Sequence, residues 1–371
     1  MTPLVLLLPS LAFACVINGP VDASDDTSDG GEATAPSDGS SSASSDDAAD
    51  TLGTADATSS SGATTNDDTD DTGSGDEGDG NSTIAPPYVP APETVVDDNV
   101  PHGTITSFTM SSTSSAIYPL DIATGEPFDR SVDVYVPQQY VAGSAAPFMV
   151  VQDGISFYES TMVPVLDNMI AAGELAPMIA IFVEPGPNED TPLGQRSFEY
   201  DSVSTSYVDF VETELLPAVA SNANVVLTSD PEGRAAMGGS SGGAAAFTMG
   251  WFRPDLYHRI LTYSGSFCDL QPNDDYPDGA WSYHASLIGG ESAKPLRVAL
   301  AVGEYDLDWN TDTDQKRNWK DANDRMAAAL ADAGYHYRYV YALQSEHIDY
   351  NVLQQTLPDT LRWLWQGYPV R

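Results

Sequence analysis

The stretch from Arg234 to Phe247, RAAMGGSSGGAAAF, joins an apolar run to an alanine-rich run through four glycines and two serines. Its first part, Arg234–Met237, is expected to be a buried strand, and Ala244–Trp251 the helix that follows. The glycine spacing fits a Gly-x-Ser-x-Gly pattern in two registers, one centred on Ser240 and the other on Ser241. The stretch therefore predicts a strand, a tight turn and a helix, with a serine in the turn.

This context is the one that a nucleophilic serine requires in a strand-to-helix turn. The serine backbone is strained there, and its neighbours must be small so that the hydroxyl oxygen stands clear of the sheet. Strand length and helix start favour Ser240 in the turn, and the Ser241 amide would then face an oxyanion from the first helical turn. On the motif alone, a glycine- and serine-rich loop without chemistry remains an alternative.

Charge limits the partners of the 371-residue chain, whose formal net charge is -41. Such a charge repels nucleic acid and disfavours docking on an anionic membrane surface. No Lys or Arg precedes Arg130, and the stretch from about Val21 to Gly80 is mostly Asp, Ser, Thr, Gly and Ala. That composition buries too little apolar surface to offset chain entropy. Residues 16–101 are therefore predicted to be a disordered, acidic linker, and a folded domain to begin near His102.

The first fifteen residues, MTPLVLLLPSLAFAC, form an apolar run too short to span a bilayer and are predicted to be an export signal. Cys15, directly after Ala14, resembles the lipobox cysteine of bacterial lipoproteins, although Ala12 stands where leucine is usual. A cell-surface or periplasmic lipoprotein, attached to the membrane only through this lipid, is the expectation. In the alternative, the leader is an ordinary secretory signal peptide and Cys15 is removed when the peptide is cleaved. The second cysteine is Cys268, so a disulfide-stapled fold is excluded.

Beyond residue 100 the chain alternates between strand-like and helix-like segments, which predicts one α/β domain over residues 102–371 with a mostly parallel sheet and helices on both faces. The predicted strands outside the opening stretch are Ser131–Pro137, Pro147–Gln152, Met178–Val183, Ile260–Tyr263, Leu296–Val302 and Tyr337–Leu343. The further predicted helices are Thr161–Ala172, Tyr207–Ala220, Asn318–Ala333 and Leu357–Trp365. Neither a metal-ligand cluster nor a phosphate-binding Gly-x-x-x-x-Gly-Lys-Ser/Thr motif occurs.

A serine nucleophile in such a domain needs an acid and then a histidine, in that chain order. His347 follows the last predicted strand and is placed best. The acid is expected in the loop Gly303–Asp308, at the carboxyl end of a strand, where both Asp306 and Asp308 qualify by position. Either aspartate could instead cap a helix or lie in a solvated loop.

Residues from about 103 to 367 resemble the putative esterase family of α/β-hydrolases, which includes enterochelin, feruloyl and related esterases. The resemblance is carried by VQDG (Val151–Gly154), RSFEYDS (Arg196–Ser202), DPEGRAAMGGSSGGAAAF (Asp230–Phe247), RPDLYHRILTYSGSF (Arg253–Phe267), GEYDLD (Gly303–Asp308), and EH followed by LPDTLRWLW (Leu357–Trp365). It implies an α/β-hydrolase fold with Ser240 as nucleophile, Asp306 as acid and His347 as base. It also implies an oxyanion hole formed by the backbone amides of Ser241 and Ile155.

The resemblance implies a serine esterase that needs no metal or organic cofactor. Its substrate would be an extracellular ester: an acylated carbohydrate, a feruloyl or acetyl ester, or a siderophore lactone. A noncatalytic binding lipoprotein that retains the fold, or an acyltransferase, is the alternative. Arg196 and Glu199 could contact the substrate or form a structural ion pair. Glu346 departs from the small residue usual before the histidine, and its carboxylate could raise the pKa of His347 or crowd an anionic substrate.

Overall fold

The computed structural model describes residues 77–187 and 194–370. The predicted export signal, Cys15 and the linker up to residue 76 lie outside the described residues. The described residues contain a nine-stranded sheet. Its strands are β1 (Gly80–Ile84), β2 (Thr104–Ser111), β3 (Asp129–Val136), β4 (Phe148–Gln152), β5 (Ile179–Val183), β6 (Arg234–Gly239), β7 (Arg259–Tyr263), β8 (Arg297–Gly303) and β9 (His336–Ala342).

The strands lie in the order β1-β9-β8-β7-β6-β4-β5-β3-β2. Strand β3 runs antiparallel to both of its neighbours, β2 and β5, and all the other pairs are parallel. A separate two-stranded pairing joins Ala145–Ala146 to Val226–Leu227. The predicted mostly parallel sheet is therefore confirmed. Since the loops after parallel strands gather at one edge, the loops that follow β4 to β9 meet at the carboxyl end of the sheet.

Helices cover both faces of this sheet. They are α1 (Gly154–Phe157), α2 (Glu159–Ala171), α3 (Gln195–Tyr200), α4 (Ser206–Phe210), α5 (Leu216–Ala223), α6 (Ser241–Phe252), α7 (Ile288–Gly290), α8 (Trp319–Asp332) and α9 (Tyr350–Leu364), with π-helical turns at Val211–Leu215 and Tyr283–Leu287. Helix α9 begins at Tyr350 and not at the predicted Leu357, because the Asp349 carboxylate caps its start by accepting from the Asn351 amide at 2.9 Å. No helix of the described ranges is long and apolar enough to cross a membrane.

Successive side chains of the central strands point to opposite faces of the sheet, and they pack into two apolar cores, one on each face. In β4, Phe148 and Val150 belong to the core beneath α6 and α8, whereas Met149 and Val151 belong to the core beneath α2 and α9. Every residue of β4, β5 and β6 is buried. Strands covered on both sides are continuously apolar, which explains why these three were recognisable as short apolar runs.

The ordered domain begins earlier than the predicted residue 102. Strand β1 pairs in parallel with β9 along its whole length, from Gly80 opposite Arg338 to Ile84 opposite Ala342. Downstream of it, the Tyr88 hydroxyl donates to the backbone oxygen of Leu343. The linker prediction rested on composition, but a strand at a sheet edge is held mainly by backbone hydrogen bonds and needs few apolar side chains. The stretch from 77 to 101 is thus part of the folded domain.

Candidate active site

Ser240 lies between β6 and α6, at the carboxyl end of the sheet. Its backbone has φ 53° and ψ −127°, a conformation that is strained for any residue with a Cβ. The turn is held by backbone hydrogen bonds on both sides: the Ser240 amide donates to Tyr263 at 3.0 Å, and the Ser266 amide donates to the Ser240 oxygen at 2.9 Å. The Ser240 side chain is therefore presented from a fixed and strained turn, as a nucleophilic serine would require.

The glycines around Ser240 are required by close packing. A Cβ on Gly238 would lie 2.4 Å from the backbone of Gly242, and one on Gly242 would lie 3.0 Å from both the Asp153 carboxylate and the Gln152 side chain. These two glycines flank Ser240 at the two positions that the sequence motif prescribes. Gly239 and Gly243, which flank Ser241, are as closely confined, by the Tyr158 hydroxyl and by Gly265, so glycine packing alone does not decide between the two registers.

Ser241 is the first residue of α6, and its side chain is 5% exposed. The hydroxyl faces inward, where it helps to hold down the pKa of the buried Asp201 carboxylate. Ser241 is therefore poorly placed to attack a substrate. Its backbone amide belongs to the first turn of the helix, where amides have no acceptor within the helix and are free to bind an anion.

Asp306 and His347 are brought together by the loops after β8 and β9. Asp306 Oδ1 lies 2.6 Å from His347 Nδ1. The carboxylate is 1% exposed and also accepts from the Leu307 amide at 2.7 Å and from the Ser264 hydroxyl at 2.6 Å. Asp308, the other candidate, makes its hydrogen bonds to Thr311 through its backbone oxygen. The geometry therefore favours Asp306 as the partner of the histidine.

Ser264 connects the acid to the histidine loop. Its hydroxyl donates to Asp306 Oδ2 and accepts from the Ile348 amide at 3.1 Å. The residue itself has φ 51° at the end of β7. Ser264 is not among the predicted site residues, although it lies in the TYSGSF segment directly after a predicted strand. A polar residue directly after a buried strand, at the carboxyl end of the sheet, is the sequence feature that could have indicated Ser264.

Ser266 and Trp319 complete the surroundings of the serine. Ser240 Oγ lies 3.3 Å from Ser266 Oγ, and Trp319 Nε1 donates to Ser266 Oγ at 3.0 Å. The Trp319 ring also meets the His347 ring edge to face, with centroids 6.2 Å apart. Among the hydrogen bonds of the described residues, the Ser240 hydroxyl has Ser266 as its partner and none is formed with His347. Ser266 thus contacts the serine, and Trp319 contacts both Ser266 and the ring of His347.

The amide predicted to complete the oxyanion hole is that of Ile155, in α1. The next amide, that of Ser156, donates to Glu184 Oε1 at 2.9 Å, and the Ser156 hydroxyl lies 3.1 Å from Oε2. Burial raises the pKa of Glu184, while the Ser156 and Ile155 amides act to lower it. A partly buried carboxylate therefore lies beside the predicted oxyanion position, at the end of β5. It would repel negative charge that develops there.

Arg196 and Glu199, proposed as substrate contacts or as an ion pair, each make an ion pair, but not with each other. The Arg196 guanidinium binds both oxygens of Asp153 at 2.9 and 2.7 Å. Glu199 is 1% exposed and binds both terminal nitrogens of Arg130 at 2.8 and 2.9 Å. So buried and so fully bonded, the Glu199 side chain forms the structural ion pair that was the alternative to a substrate contact. Its role is to fix α3 against β3.

Asp201 ends α3 beneath the first turn of α6. It is 2% exposed and accepts from the Ser197 hydroxyl at 2.6 Å. Burial raises its pKa to about 6, although the Ser197 hydroxyl, the Arg196 charge and the Ser241 hydroxyl all act to lower it. A second titrating group therefore lies close to the predicted oxyanion amide of Ser241.

Within the described ranges, no group of three or more His, Cys, Asp or Glu side chains is arranged to hold a metal ion. The chemistry available at this edge of the sheet is that of hydroxyl, imidazole and carboxylate groups. A hydroxyl at a strained turn, with an imidazole bonded to a buried carboxylate at the same edge of the sheet, can support nucleophilic attack on a carbonyl.

Known proteins are similar to this chain over most of the folded domain. The family model described as "Putative esterase" matches residues 127–364, more than half of the chain. The Iron(III) enterobactin esterase of Dickeya dadantii (strain 3937) is 28% identical over 230 residues, which are 60% of this chain and 48% of that protein. The uncharacterized protein YbbA of Bacillus subtilis (strain 168) is 25% identical over 183 residues, covering 47% of this chain and 68% of that one.

Solved structures show the same fold. The Shigella flexneri enterobactin esterase, determined in the presence of enterobactin, superposes with a TM-score of 0.53 at 20% identity and covers 72% of this chain and 61% of that one. A ferulic acid esterase from Anaeromyces mucronatus superposes with a TM-score of 0.51 at 13% identity, covering 75% of this chain and 96% of the other. The chain spans about half the length of the Dickeya esterase, and these likenesses confirm the α/β-hydrolase fold.

Proposed function

The chain belongs to the putative esterase family, and on that premise we propose that it is a serine esterase that hydrolyses carboxylic esters through an acyl-enzyme. The observation that carries the proposal is the pair formed by Asp306 and His347, 2.6 Å apart, at the same sheet edge as the strained Ser240 turn. No other acid or histidine of the described residues combines burial of the carboxylate with this position.

In the proposed reaction, His347 Nε2 takes the proton of the Ser240 hydroxyl as its oxygen attacks the ester carbonyl. A hydrogen bond from Nδ1–H to Asp306 fixes the imidazole tautomer, and the carboxylate stabilises the imidazolium that forms. The alcohol leaves with a proton returned by His347. Water then attacks the acyl group bound to Ser240 by the same route in reverse, which releases the carboxylic acid and restores the serine.

For this step the hydrogen of the Ser240 hydroxyl must point toward His347, while Oγ keeps its contact with Ser266. Such an orientation is reached by rotation of one side-chain dihedral, and catalytic hydrogen bonds are often loose or misaligned before substrate binds. The amide of Ser241 is proposed to bind the oxyanion together with that of Ile155. Each such donor contributes roughly 10²- to 10³-fold to the rate.

The substrate class proposed here is an extracellular ester of a carbohydrate, an acetyl or feruloyl ester, or a siderophore lactone. The support is that the relatives are named for enterobactin and ferulic acid esters. A panel of p-nitrophenyl acetate, methyl ferulate and enterobactin separates these classes. Acyl transfer to a sugar would be recognised by a rate that depends on an added acceptor alcohol.

The experiment that tests the mechanism compares Ser240→Ala with Ser241→Ala. Removing the nucleophile should lower the turnover of p-nitrophenyl acetate by roughly 10⁶-fold, as for triad serines elsewhere, whereas Ser241→Ala keeps the backbone amide and should retain most activity. A fluorophosphonate should label Ser240. Labelling of Ser241, or activity that survives in Ser240→Ala, would contradict the proposal.

We also propose that the protein is exported and held at the membrane by lipid on Cys15. The support is the sequence alone: an apolar leader, a cysteine after Ala14 and a long acidic tether. Durable attachment needs two or more acyl chains. Cys15→Ala should therefore move the protein from the membrane fraction to the soluble fraction, and unchanged fractionation would refute the anchor.

A further inference from the structure

Ser266 belongs neither to the family motif for the nucleophile nor to the acid and base, yet it touches the nucleophile. It is fully buried just after β7. Its backbone amide donates to the backbone carbonyl oxygen of Ser240 at 2.9 Å, and its hydroxyl oxygen lies 3.3 Å from Ser240 Oγ. Helix α8 supports it from the other side, because Trp319 is the first residue of that helix and donates its indole N–H to Ser266 Oγ at 3.0 Å.

The direction of the hydrogen bonds follows from the chemistry of these groups. An indole nitrogen can only donate, so Ser266 Oγ must accept from Trp319. The Ser266 hydrogen then needs an acceptor, and among the described residues the side-chain oxygen recorded within reach is Ser240 Oγ. Ser240 accordingly accepts from Ser266, which leaves the hydrogen of Ser240 free to point elsewhere.

We propose that Ser266 is a positioning residue, fixed by Trp319, which donates to Ser240 Oγ and so directs the hydrogen of the nucleophile toward His347. This inference rests on the proposed function. If Ser240 donated instead, the proton that His347 must take would be held by Ser266, and the buried Ser266 hydrogen would have no recorded acceptor among the described residues. The indole N–H already occupies one of the two acceptor positions of Ser266 Oγ, which favours the productive direction.

Trp319 acts on both ends of this arrangement. Its ring lies edge to face against His347, with centroids 6.2 Å apart and an angle of 86° between the planes. Its helix is tied to the same loop, since Asn323 donates to the Gly265 oxygen at 2.9 Å. The rigid Trp319 side chain therefore positions the imidazole by packing, and its N–H group favours one direction of the hydrogen bond between Ser266 and Ser240.

The test uses Ser266→Ala, Trp319→Phe and the double variant in the full chain. Trp319→Phe keeps a ring against His347 and removes the donor. Trp365→Phe is the matched control, because Trp365 is also buried but its Nε1 has no hydrogen-bond partner among the described residues. The readouts are kcat and KM for p-nitrophenyl acetate, the rate of Ser240 labelling by a fluorophosphonate, and the melting temperature.

The expected losses fall on kcat and on the labelling rate, with KM unchanged. Loss of one hydrogen bond to a reacting group should cost about tenfold in Ser266→Ala and a few-fold in Trp319→Phe. The double variant should be no slower than Ser266→Ala, because Trp319 acts through Ser266. It should also melt higher than Ser266→Ala, which leaves the buried indole N–H without its acceptor.

Three results would overturn the inference. One is a Ser266→Ala protein with a lower melting temperature but kcat and labelling within twofold of the natural chain, which would make the hydroxyl purely structural. Another is a double variant whose loss is the product of the single losses. The third is a Trp319→Phe loss no larger than that of Trp365→Phe. A natural chain that neither turns over esters nor reacts with fluorophosphonate would refute the proposed function as well.

Discussion

The replacement Asp306→Asn tests the acid without changing its shape. An asparagine has one oxygen and one nitrogen where the carboxylate has two oxygens, so its orientation must be worked out. The position of Oδ1 receives the Leu307 amide at 2.7 Å, and a backbone N–H cannot accept. The oxygen of the asparagine should therefore stay there, still facing His347.

The asparagine nitrogen would then take the place of Oδ2, where the Ser264 hydroxyl now donates at 2.6 Å. A hydroxyl can turn and accept, so this contact survives, whereas the longer bond of 3.4 Å that the Gly303 amide donates to Oδ2 is lost. The tautomer of His347 is retained in this arrangement, and what is lost is the negative charge. Two unit charges about 4 Å apart interact by about 4 kcal/mol at an effective dielectric constant of about 20. At about 1.4 kcal/mol per factor of ten, kcat should fall by about 10³.

The assay is kcat for p-nitrophenyl acetate in Asp306→Asn and in Asp308→Asn, on proteins of equal melting temperature. Asp308 is only partly buried, and its positive φ of 52° suits asparagine, so its variant should remain within a few-fold of the natural chain. A loss near 10³ confined to Asp306→Asn is expected. A larger loss in Asp308→Asn, or an Asp306→Asn protein with near-normal kcat, would refute the assignment of the acid.

Three further changes give expectations of their own. Glu184→Gln, which removes the charge beside the predicted oxyanion position, should raise kcat several-fold for an uncharged ester at neutral pH; lower turnover would show that the carboxylate supports α1 instead. The pKa of Asp201 is raised to about 6 in the folded chain from an ordinary 3.8, so the ionised carboxylate destabilises the fold. The contribution of Asp201 to the free energy of unfolding therefore falls as the pH rises from about 4 to 6 and remains unfavourable at higher pH. Asp201→Asn should therefore be more stable by up to about 3 kcal/mol in urea unfolding at pH 8 but not at pH 4, and a pH-independent difference would contradict this. A chain that starts at residue 102 should have a much lower melting temperature than one that starts at residue 77, because it lacks β1. Equal melting temperatures would show that residues 77–101 belong to the linker and do not stabilise the folded domain.

The central part of the fold could be predicted because its strands are covered on both faces. Continuous apolar runs such as Phe148–Gln152 and Ile179–Val183 follow from that burial. The two edge strands were missed for the converse reason. Strand β1 reads GNSTI and β2 reads TITSFTMS, and both present several exposed polar side chains, which single-sequence patterns do not distinguish from loops.

In the candidate site, too, some features could be predicted from the sequence and others could not. Ser240, Asp306 and His347 were predictable because each follows a recognisable strand, and chain order limits the choices. The contacts that hold them were not. Ser266 meets Trp319 across 53 positions, and Arg130 meets Glu199 across 69, so no local pattern records either pairing. The position of Glu184 beside Ser156 likewise depends on the order of strands in the sheet, which the sequence alone did not specify.

Strand β1 also bears on how readily the protein associates with itself through its sheet edge. Without it, β9 would expose an unpaired backbone along HYRYVYA, whose three tyrosines and one valine favour pairing with a strand from another molecule. The strand that covers this edge is only five residues long and carries Gly, Asn, Ser and Thr, a composition that templates further strands poorly. The N-terminal segment therefore serves as a cap against edge-to-edge aggregation. Cutting the chain within it should produce association that grows with protein concentration.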